Sequence, residues 1–194
     1  MNLKLNILTN LTARVWSALM SFAFVPLYIH FLGIEGYGLI GLFAALMGIC
    51  AFLDLGLSVT VNREMARRGR GHDVLPEARD LLRTLEAVYW AVAALIGLGM
   101  AAWAPFLAEH WLNLKALRVA DAEGAIRLMG LAAFMRWPVA LYIGALCGVH
   151  RQVVANVVTV VASTLASGGA VLILWLAAPR IEFFFLWQAA ALRV

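Results

Sequence analysis

The chain has 194 residues, of which 64% are hydrophobic and 13% are charged, and its formal net charge is +4. An ordinary soluble domain is about half apolar and about a quarter charged, and a chain of this length has too little interior to hide such an excess of apolar residues. These values exclude a soluble globular domain, and the small net charge gives no support to nucleic-acid binding. The composition therefore predicts a membrane protein.

The predicted elements are membrane-spanning helices, because crossing about 30 Å of hydrocarbon takes about 20 apolar residues. The strict alternation of polar and apolar residues that β-barrel strands require is missing from the sequence. About six helices are predicted, in residues 11–32, 36–57, 85–107, 126–148, 153–178 and 181–194. The last apolar run is short and stops at Arg193 and Val194. We therefore expect an all-α polytopic membrane protein that is truncated in its sixth helix.

The stretch FVPLYIHFLGIEGYGLIGLF joins the first two predicted helices. Residues 33–36 are predicted to form a tight outer hairpin with Glu35 in water at its tip, since glycine permits turn conformations that other residues resist. The proline removes a backbone donor and predicts a kink in the first helix, which is either part of a gate or an inert bend. The predicted hinge and turn residues are Pro26, Gly33, Gly36 and Gly38.

Lysine and arginine are divided unequally between the two ends of the predicted helices, and cytoplasmic loops carry the excess in membrane proteins. If the N-terminus is cytoplasmic, the inner side holds Lys4, Arg14, Arg63, Arg67, Arg68, Arg70, Arg79, Arg83 and Arg151. The outer side then holds Lys115, Arg118, Arg127 and Arg180. This bias predicts a multi-pass plasma-membrane protein with a cytoplasmic N-terminus.

Two predicted helices carry polar residues at helical spacing, which places each set on one face. The first helix has Asn6, Asn10, Arg14, Ser17 and Ser21, and the fifth has Gln152, Asn156, Thr159, Ser163 and Ser167. Such faces indicate either the walls of a hydrophilic cavity or hydrogen bonds between packed helices, and we favour the cavity. The candidate cavity residues are Arg14, Ser17, Ser21, Asn156, Thr159 and Ser163.

Three charged residues within or near the predicted helices are candidates for function. Arg14 and Asp54 are expected at similar depth, so Arg14 either pairs with Asp54 or contacts substrate, while Asp54 is also a possible coupling site for a proton or cation. Arg136 lies near mid-membrane, where an arginine costs roughly 2.5–3.5 kcal/mol. It is expected either to pair with an acid on another helix or to bind an anionic ligand in a watery cavity, and we favour the ligand.

The sequence contains none of the motifs of nucleotide hydrolysis, nucleophile elbows or zinc proteases. Cys50 and Cys147 lie in apolar runs and are interpreted as buried hydrophobic residues, and the histidine spacings predict no metal site. We therefore expect a non-enzymatic protein without cofactor or metal. The small-residue pairs Gly41 with Ala45 and Gly144 with Gly148 predict close helix packing.

The stretches VPLYIHFLGIEGYGLIGLF and FLDLGLSVTVNREMAR resemble the first helical hairpin of bacterial polysaccharide flippases. These are the O-antigen and related lipid-linked oligosaccharide translocases of the multidrug/oligosaccharidyl-lipid/polysaccharide exporter superfamily. The matching positions are Pro26, Tyr28, Leu32, Gly33, Tyr37, Gly38, Asp54 and Gly56. The later stretches RWPVALYIGALCGVHRQ and FFFLWQA are also similar to this family.

The resemblance implies a two-lobe transporter, of which this sequence is the N-terminal lobe and the second lobe is absent. It implies translocation of an undecaprenyl-diphosphate-linked oligosaccharide, for O-antigen, capsule or exopolysaccharide, across the inner membrane by alternating access. Arg136 and Arg14 would bind the diphosphate, and Asn156, Thr159 and Ser163 would contact sugar. The implied partners are this lipid-linked glycan, the lipid bilayer, and polysaccharide polymerase and chain-length proteins.

Three other functions stay open at this point, and one of them is a non-transporting scaffold for other assembly proteins. A cation-coupled multidrug or metabolite antiporter of the same superfamily would need acidic residues in its cavity to attract cationic cargo. A membrane-embedded glycan polymerase or ligase of envelope assembly would need large outer loops, and the longest predicted outer loop is only residues 109–127.

Overall fold

The computed structural model describes residues 3–54, 56–70, 73–74, 76–112, 117–176 and 179–191. Side chains are described for the same residues except 3–6, 68–70, 73–74 and 76–78. Several residues named above therefore lie wholly or with their side chains outside the described part: Lys4, Asn6, Arg68, Arg70, Lys115, Arg193 and Val194.

Helices make up nearly all of the described chain. They are α1 (Leu3–Ala23), α2 (Val25–Leu53), α3 (Leu57–Arg68), α4 (Pro76–Phe106), α5 (Val119–Arg136), α6 (Val139–Gly148), α7 (Gln152–Leu176) and α8 (Ile181–Ala190). A π-helical turn, Leu107–Trp111, extends α4. Between α3 and α4, the two-residue strands β1 (Gly69–Arg70) and β2 (Asp73–Val74) pair antiparallel.

Four helical stretches of the described chain are long and apolar enough to cross a membrane: Val25–Leu53, Arg79–Trp111, Val119–Gly148 and Gln152–Leu176. Large apolar side chains such as Leu95, Leu98 and Trp175 are exposed on their surfaces, where hydrocarbon rather than water would cover them at no penalty. The protein is therefore an all-α polytopic membrane protein, as the composition predicted.

The junction of α1 and α2 lies at Phe24, two residues before Pro26. Proline has no N–H, so the carbonyl of Phe22 loses its usual partner four residues further on. The helical pattern resumes at once, because the N–H of Tyr28 donates to the carbonyl oxygen of Phe24 at 3.0 Å. The predicted interruption of the first helix at Pro26 is confirmed.

Gly33 reverses the direction of the chain inside α2. Its φ of 72° and ψ of 176° belong to a backbone region that is essentially restricted to glycine. Tyr28 and Phe43 lie on either side of Gly33, yet they pack against adjacent rings, Phe184 at 5.3 Å and Phe185 at 5.5 Å between centroids. A straight helix would hold Tyr28 and Phe43 about 22 Å apart, so the helix folds back at Gly33.

This turn is shorter than the hairpin predicted at residues 33–36. Gly36 is already helical and buried, and a Cβ there would lie 2.9 Å from the Cβ of Leu32. The position predicted for Glu35 is also wrong, because its half-buried carboxylate accepts a hydrogen bond from the N–H of Leu117 at 2.7 Å instead of standing in water. The single glycine suffices for the reversal because it adopts a conformation that no side chain permits.

A second break separates α2 from α3. Gly56 has a φ of 77°, in the left-handed region that favours glycine. The carboxylate of Asp54 accepts hydrogen bonds from the hydroxyl of Ser58 at 2.7 Å and from its N–H at 3.3 Å. These bonds satisfy the backbone N–H of Ser58 in the first turn of α3. Asp54 therefore acts in the same way as an N-terminal helix cap. The LDLGLS stretch thus ends one helix and starts the next.

A third break separates α5 from α6 at Trp137 and Pro138, and beyond it α6 packs tightly on α3. A Cβ on Gly144 would lie 2.6 Å from the carbonyl oxygen of Ser58, and one on Gly148 would lie 2.5 Å from that of Asn62. The two helices therefore run parallel with their backbones in contact, which confirms the close packing predicted for Gly144 and Gly148.

The same packing prediction is wrong for Gly41 and Ala45 within the described part of the chain. Nothing from another element lies within 4 Å of the position that a Cβ on Gly41 would occupy, and Ala45 is exposed. Gly38 is helical, exposed and equally free of neighbours. No other described element therefore packs on this face of α2.

Candidate functional site: a polar cleft

A cleft of about 640 Å³ lies between two pairs of helices, α1 with α7 and α3 with α6. Six of its eleven lining residues carry an amide or a hydroxyl group, and one carries a guanidinium. The lining residues are Asn10, Ala13, Arg14, Ser17, Asn62, Ile143, Cys147, Gln152, Ala155, Asn156 and Thr159. Among the residues that the structure describes, none of those lining the cleft is acidic.

One wall of the cleft forms because α1 and α7 run parallel. The Nδ2 of Asn156 donates to Oγ1 of Thr9 at 3.2 Å, and further along both helices the hydroxyl of Ser17 donates to Oγ of Ser163 at 3.3 Å. Parallel packing is what two helices entering from the same side of a membrane produce. The order of the predicted first and fifth helices is consistent with it.

The two polar faces serve different purposes along their length. Near the N-terminal ends of α1 and α7, the polar side chains line the cleft. Beyond Ser17 the hydroxyls are used between or within helices: Ser21 donates to the carbonyl oxygen of Ser17 at 2.9 Å, and Ser163 to that of Val160 at 3.0 Å. Both interpretations of the polar faces, cavity wall and interhelical bonding, hold in different parts of the bundle.

The predicted cavity residues are therefore only partly brought together. Arg14, Ser17, Asn156 and Thr159 line the cleft, although the hydroxyl of Thr159 donates to the carbonyl oxygen of Ala155 at 2.9 Å. Ser21 and Ser163 are not among its lining residues.

Arg14 supplies the charge in the cleft. Its Nε donates to Oδ1 of Asn10 at 3.2 Å, and its other N–H groups bond to no described residue. A guanidinium binds carboxylate or phosphate oxygens with two parallel hydrogen bonds, so these groups suit an anion. No ion pair joins Arg14 to Asp54 in the described structure, and the pairing alternative is wrong.

Asp54 is held by neutral groups instead. One oxygen accepts the bonds from Ser58, and the other accepts a hydrogen bond from the hydroxyl of Tyr89 on α4. Within the described residues no cationic side chain pairs with it. The structure thus places Asp54 at a helix break, away from the cleft lining.

Arg136 is the last residue of α5, directly before the break at Trp137. Its side chain is exposed and is not part of the cleft lining, and no ion pair is formed with any acid whose side chain is described. The described structure therefore does not bring Arg136 and Arg14 into one site, and a ligand at Arg136 stays a prediction.

Sequence reasoning missed part of the cleft. The predicted second helix ends at residue 57 and leaves Asn62 outside it, although Asn62 follows Ser58 by one helical turn on α3. The signal was the Asp54-x-Gly56-x-Ser58 pattern, which caps a new helix. Cys147, interpreted as a buried hydrophobic residue, is half-buried and lines the cleft, whereas Cys50 is buried as expected.

No group of three or more His, Cys, Asp or Glu residues that could hold a metal ion occurs in the described part of the chain. The side chains described in the cleft lining can form hydrogen bonds and attract an anion.

Comparison with protein families identifies the relatives of this chain. The family described as Polysaccharide biosynthesis protein matches residues 3–191. The chain belongs to this family. Comparisons with curated proteins and with solved structures produced no match. Membership of the polysaccharide biosynthesis protein family confirms the resemblance that the first helical hairpin carries in the sequence.

Proposed function

We propose that this member of the polysaccharide biosynthesis protein family is a flippase for an undecaprenyl-diphosphate-linked oligosaccharide, acting in the bacterial inner membrane by alternating access. The observation that supports this proposal is the polar cleft inside a lobe with an apolar surface. A diphosphate and a row of sugar hydroxyls are costly to place in hydrocarbon without hydrogen-bond partners. A wall of amides, hydroxyls and one guanidinium replaces water for such a cargo.

Four of the residues that line the cleft have a proposed role. The free N–H groups of Arg14 bind phosphate oxygens, and Ser17, Asn156 and Thr159 bond to sugar hydroxyls. The volume of about 640 Å³ falls in the range of about 300–1,000 Å³ that small-molecule sites occupy, so the cleft takes part of the glycan at a time. Ser21 and Ser163 hold α1 and α7 together instead of contacting cargo.

Arg136 is proposed as a second anion contact outside the cleft. It is exposed at the end of α5, beside a helix break, and broken helices line the substrate path of many transporters. The antiporter alternative is less well supported, because the described cleft lining offers no carboxylate to a cationic cargo. Family members are typically transporters rather than enzymes, which weighs against a polymerase or ligase.

The proposed partners are the lipid-linked glycan, the surrounding bilayer, and the polymerase and chain-length proteins that use the exported glycan. The proposed orientation has the N-terminus in the cytoplasm, so that the cleft opens near the side where the lipid-linked unit is made.

The test is complementation in a bacterial strain that lacks its own glycan flippase, with the full-length gene expressed. Wild type is compared with Arg14→Ala and Arg14→Lys, and with Arg127→Ala, whose guanidinium pairs with Glu123 at 2.5 Å far from the cleft. We expect Arg14→Ala alone to lose surface glycan and to accumulate lipid-linked precursor in the cell. If wild type restores no surface glycan in strains making several different repeat units, the flippase proposal is wrong.

A further inference from the structure

One side chain connects two of the helix breaks. Tyr89 of α4 is 1% exposed, and its hydroxyl donates to the Asp54 carboxylate at the break between α2 and α3. Its ring also packs on the indole of Trp137, at the break between α5 and α6, with 5.9 Å between centroids. The two breaks therefore lie at the same level of the bundle, and Tyr89 contacts both of them.

Beyond these breaks, α3 and α6 form one unit. The backbone of α6 touches the backbone carbonyls of α3 at Gly144 and Gly148, with no room for a side chain between them. Helices packed this closely shift together, because a sliding motion would bring atoms into overlap. The pair contributes Asn62, Ile143 and Cys147 to the cleft, so the α3–α6 unit is one of its walls.

Neither break has the full backbone hydrogen bonding of a continuous helix. Gly56 has no side chain to restrict its backbone, and Pro138 offers no N–H to bridge its break. The indole Nε1 of Trp137 is buried without a hydrogen-bond partner in the described structure, so the Trp137 side chain is held by packing rather than by a side-chain hydrogen bond. Tyr89 supplies part of that packing, and at the first break its hydroxyl adds a hydrogen bond to Asp54 beside those from Ser58.

The opposite wall is fixed by several bonds to α7. The hydroxyl of Tyr28 donates to the carbonyl oxygen of Ser167 at 3.0 Å, and Trp187 of α8 donates to that of Leu165 at 2.8 Å. The indole N–H of Trp16 on α1 donates to Thr164 at 2.8 Å. Because hydrogen bonds join α7 to three neighbouring helices, the width of the cleft depends on the position of the α3–α6 unit.

We propose that Tyr89 is a positioning residue for the cleft. Through Asp54 and Trp137 it holds both breaks and so sets the distance between the α3–α6 wall and Arg14. The inference rests on the proposed function only for the identity of the cargo, since the placement of the wall is measured without any glycan.

The experiment uses Cys147, which lies on the α3–α6 wall, as a reporter. The full chain, carrying Cys50→Ala, is labelled in isolated membranes with a cationic methanethiosulfonate reagent, and the rate of Cys147 modification is recorded. Tyr89→Phe removes the hydroxyl and keeps the ring. The matched control is Tyr142→Phe, because the Tyr142 hydroxyl donates to Glu86 of α4 at 2.5 Å and also links α6 to α4, but on the exposed surface.

We expect Tyr89→Phe to raise the labelling rate roughly tenfold, the effect of losing one hydrogen bond to a charged group, with Tyr142→Phe at the wild-type rate. Asp54→Asn, which keeps an acceptor for Tyr89 but weakens the bond, should give a smaller rise in the same direction. A wild-type rate in Tyr89→Phe, or equal rises in both tyrosine variants, would overturn the proposal. Failure of the flippase proposal would appear instead as a wild-type protein that restores no surface glycan, whatever the labelling rates.

Discussion

Arg14 and Asn10 are bonded one helical turn apart on α1, with Nε of the arginine donating to Oδ1 of the asparagine at 3.2 Å. The bond occupies one edge of the guanidinium and leaves its terminal N–H groups for the cleft. An anion would therefore bind at the end of the guanidinium rather than along its Nε edge. The charge of the cleft depends on Asn10 staying neutral.

Asn10→Asp tests this dependence. The new carboxylate has nearly the same shape but carries a charge that pairs with Arg14 and repels a diphosphate, so we expect glycan export to fall at least about tenfold, the equivalent of about 1.4 kcal/mol. Asn10→Ala, which removes the amide without adding charge, should lose much less. Surface glycan and intracellular precursor are measured for both at matched expression. Equal export in the two variants would show that the charge of Arg14 is not used.

Arg136→Ala and Arg136→Lys test the second arginine. If Arg136 binds an anion in bidentate fashion, Ala should accumulate precursor strongly and Lys only partly restore export, since an ammonium is a point charge without the planar fork. Precursor accumulation is scored against the amount of protein in the membrane. Normal export in Arg136→Ala would leave the residue without a role in transport, while the flippase proposal itself would stand.

Gly148→Ala tests the contact between α3 and α6. The added methyl would lie 2.5 Å from both the carbonyl oxygen of Asn62 and the Cβ of Met65. Overpacking of this kind costs about 1–3 kcal/mol, so we expect a lower thermal midpoint in detergent. Gly41→Ala is the matched control, because nothing lies within 4 Å of its added methyl. A midpoint for Gly148→Ala equal to that of Gly41→Ala would contradict the packing.

Gly33→Ala tests the reversal within α2. Alanine at φ 72° and ψ 176° would be strained by about 1–3 kcal/mol. We expect less folded protein and a lower midpoint of thermal unfolding. Gly38→Ala, five residues on in open helix, should behave as wild type or better, since alanine favours helix. An unaffected Gly33→Ala protein would mean that the chain turns elsewhere.

The fold was largely predictable because long apolar runs have few alternatives in a membrane, where every backbone group must bond internally. The sequence predicted a kink at Pro26 and a turn beginning at Gly33, and the structure has a helix junction at Phe24 and a reversal at Gly33. Glu35 was placed wrongly in water because its partner, the N–H of Leu117, lies 82 positions away in sequence. Local pattern carries no information on such a contact.

The cleft was predictable only in part, for a related reason. The spacing of Asn10, Arg14 and Asn156 identified one wall, since helical periodicity fixes which residues share a face. The other wall depends on how α3 and α6 pack, and that is decided by the fit of glycines on backbone carbonyls. Pairing with Asp54 was one of two alternatives for Arg14, and it is not seen between the described side chains because equal depth in the membrane does not fix the direction in which each side chain points.

The hydrogen bonds between α7 and its neighbours also limit which insertions and deletions the sequence of α7 can accept. Within residues 163–167, α7 accepts hydrogen bonds from four side chains, those of Trp16, Tyr28, Trp187 and Gln188. Deleting one residue just before this segment would rotate it by about 100° and move every attachment point at once. Related genes should therefore differ in α7 by substitution and almost never by length, whereas the segment joining α3 to α4 should tolerate insertions.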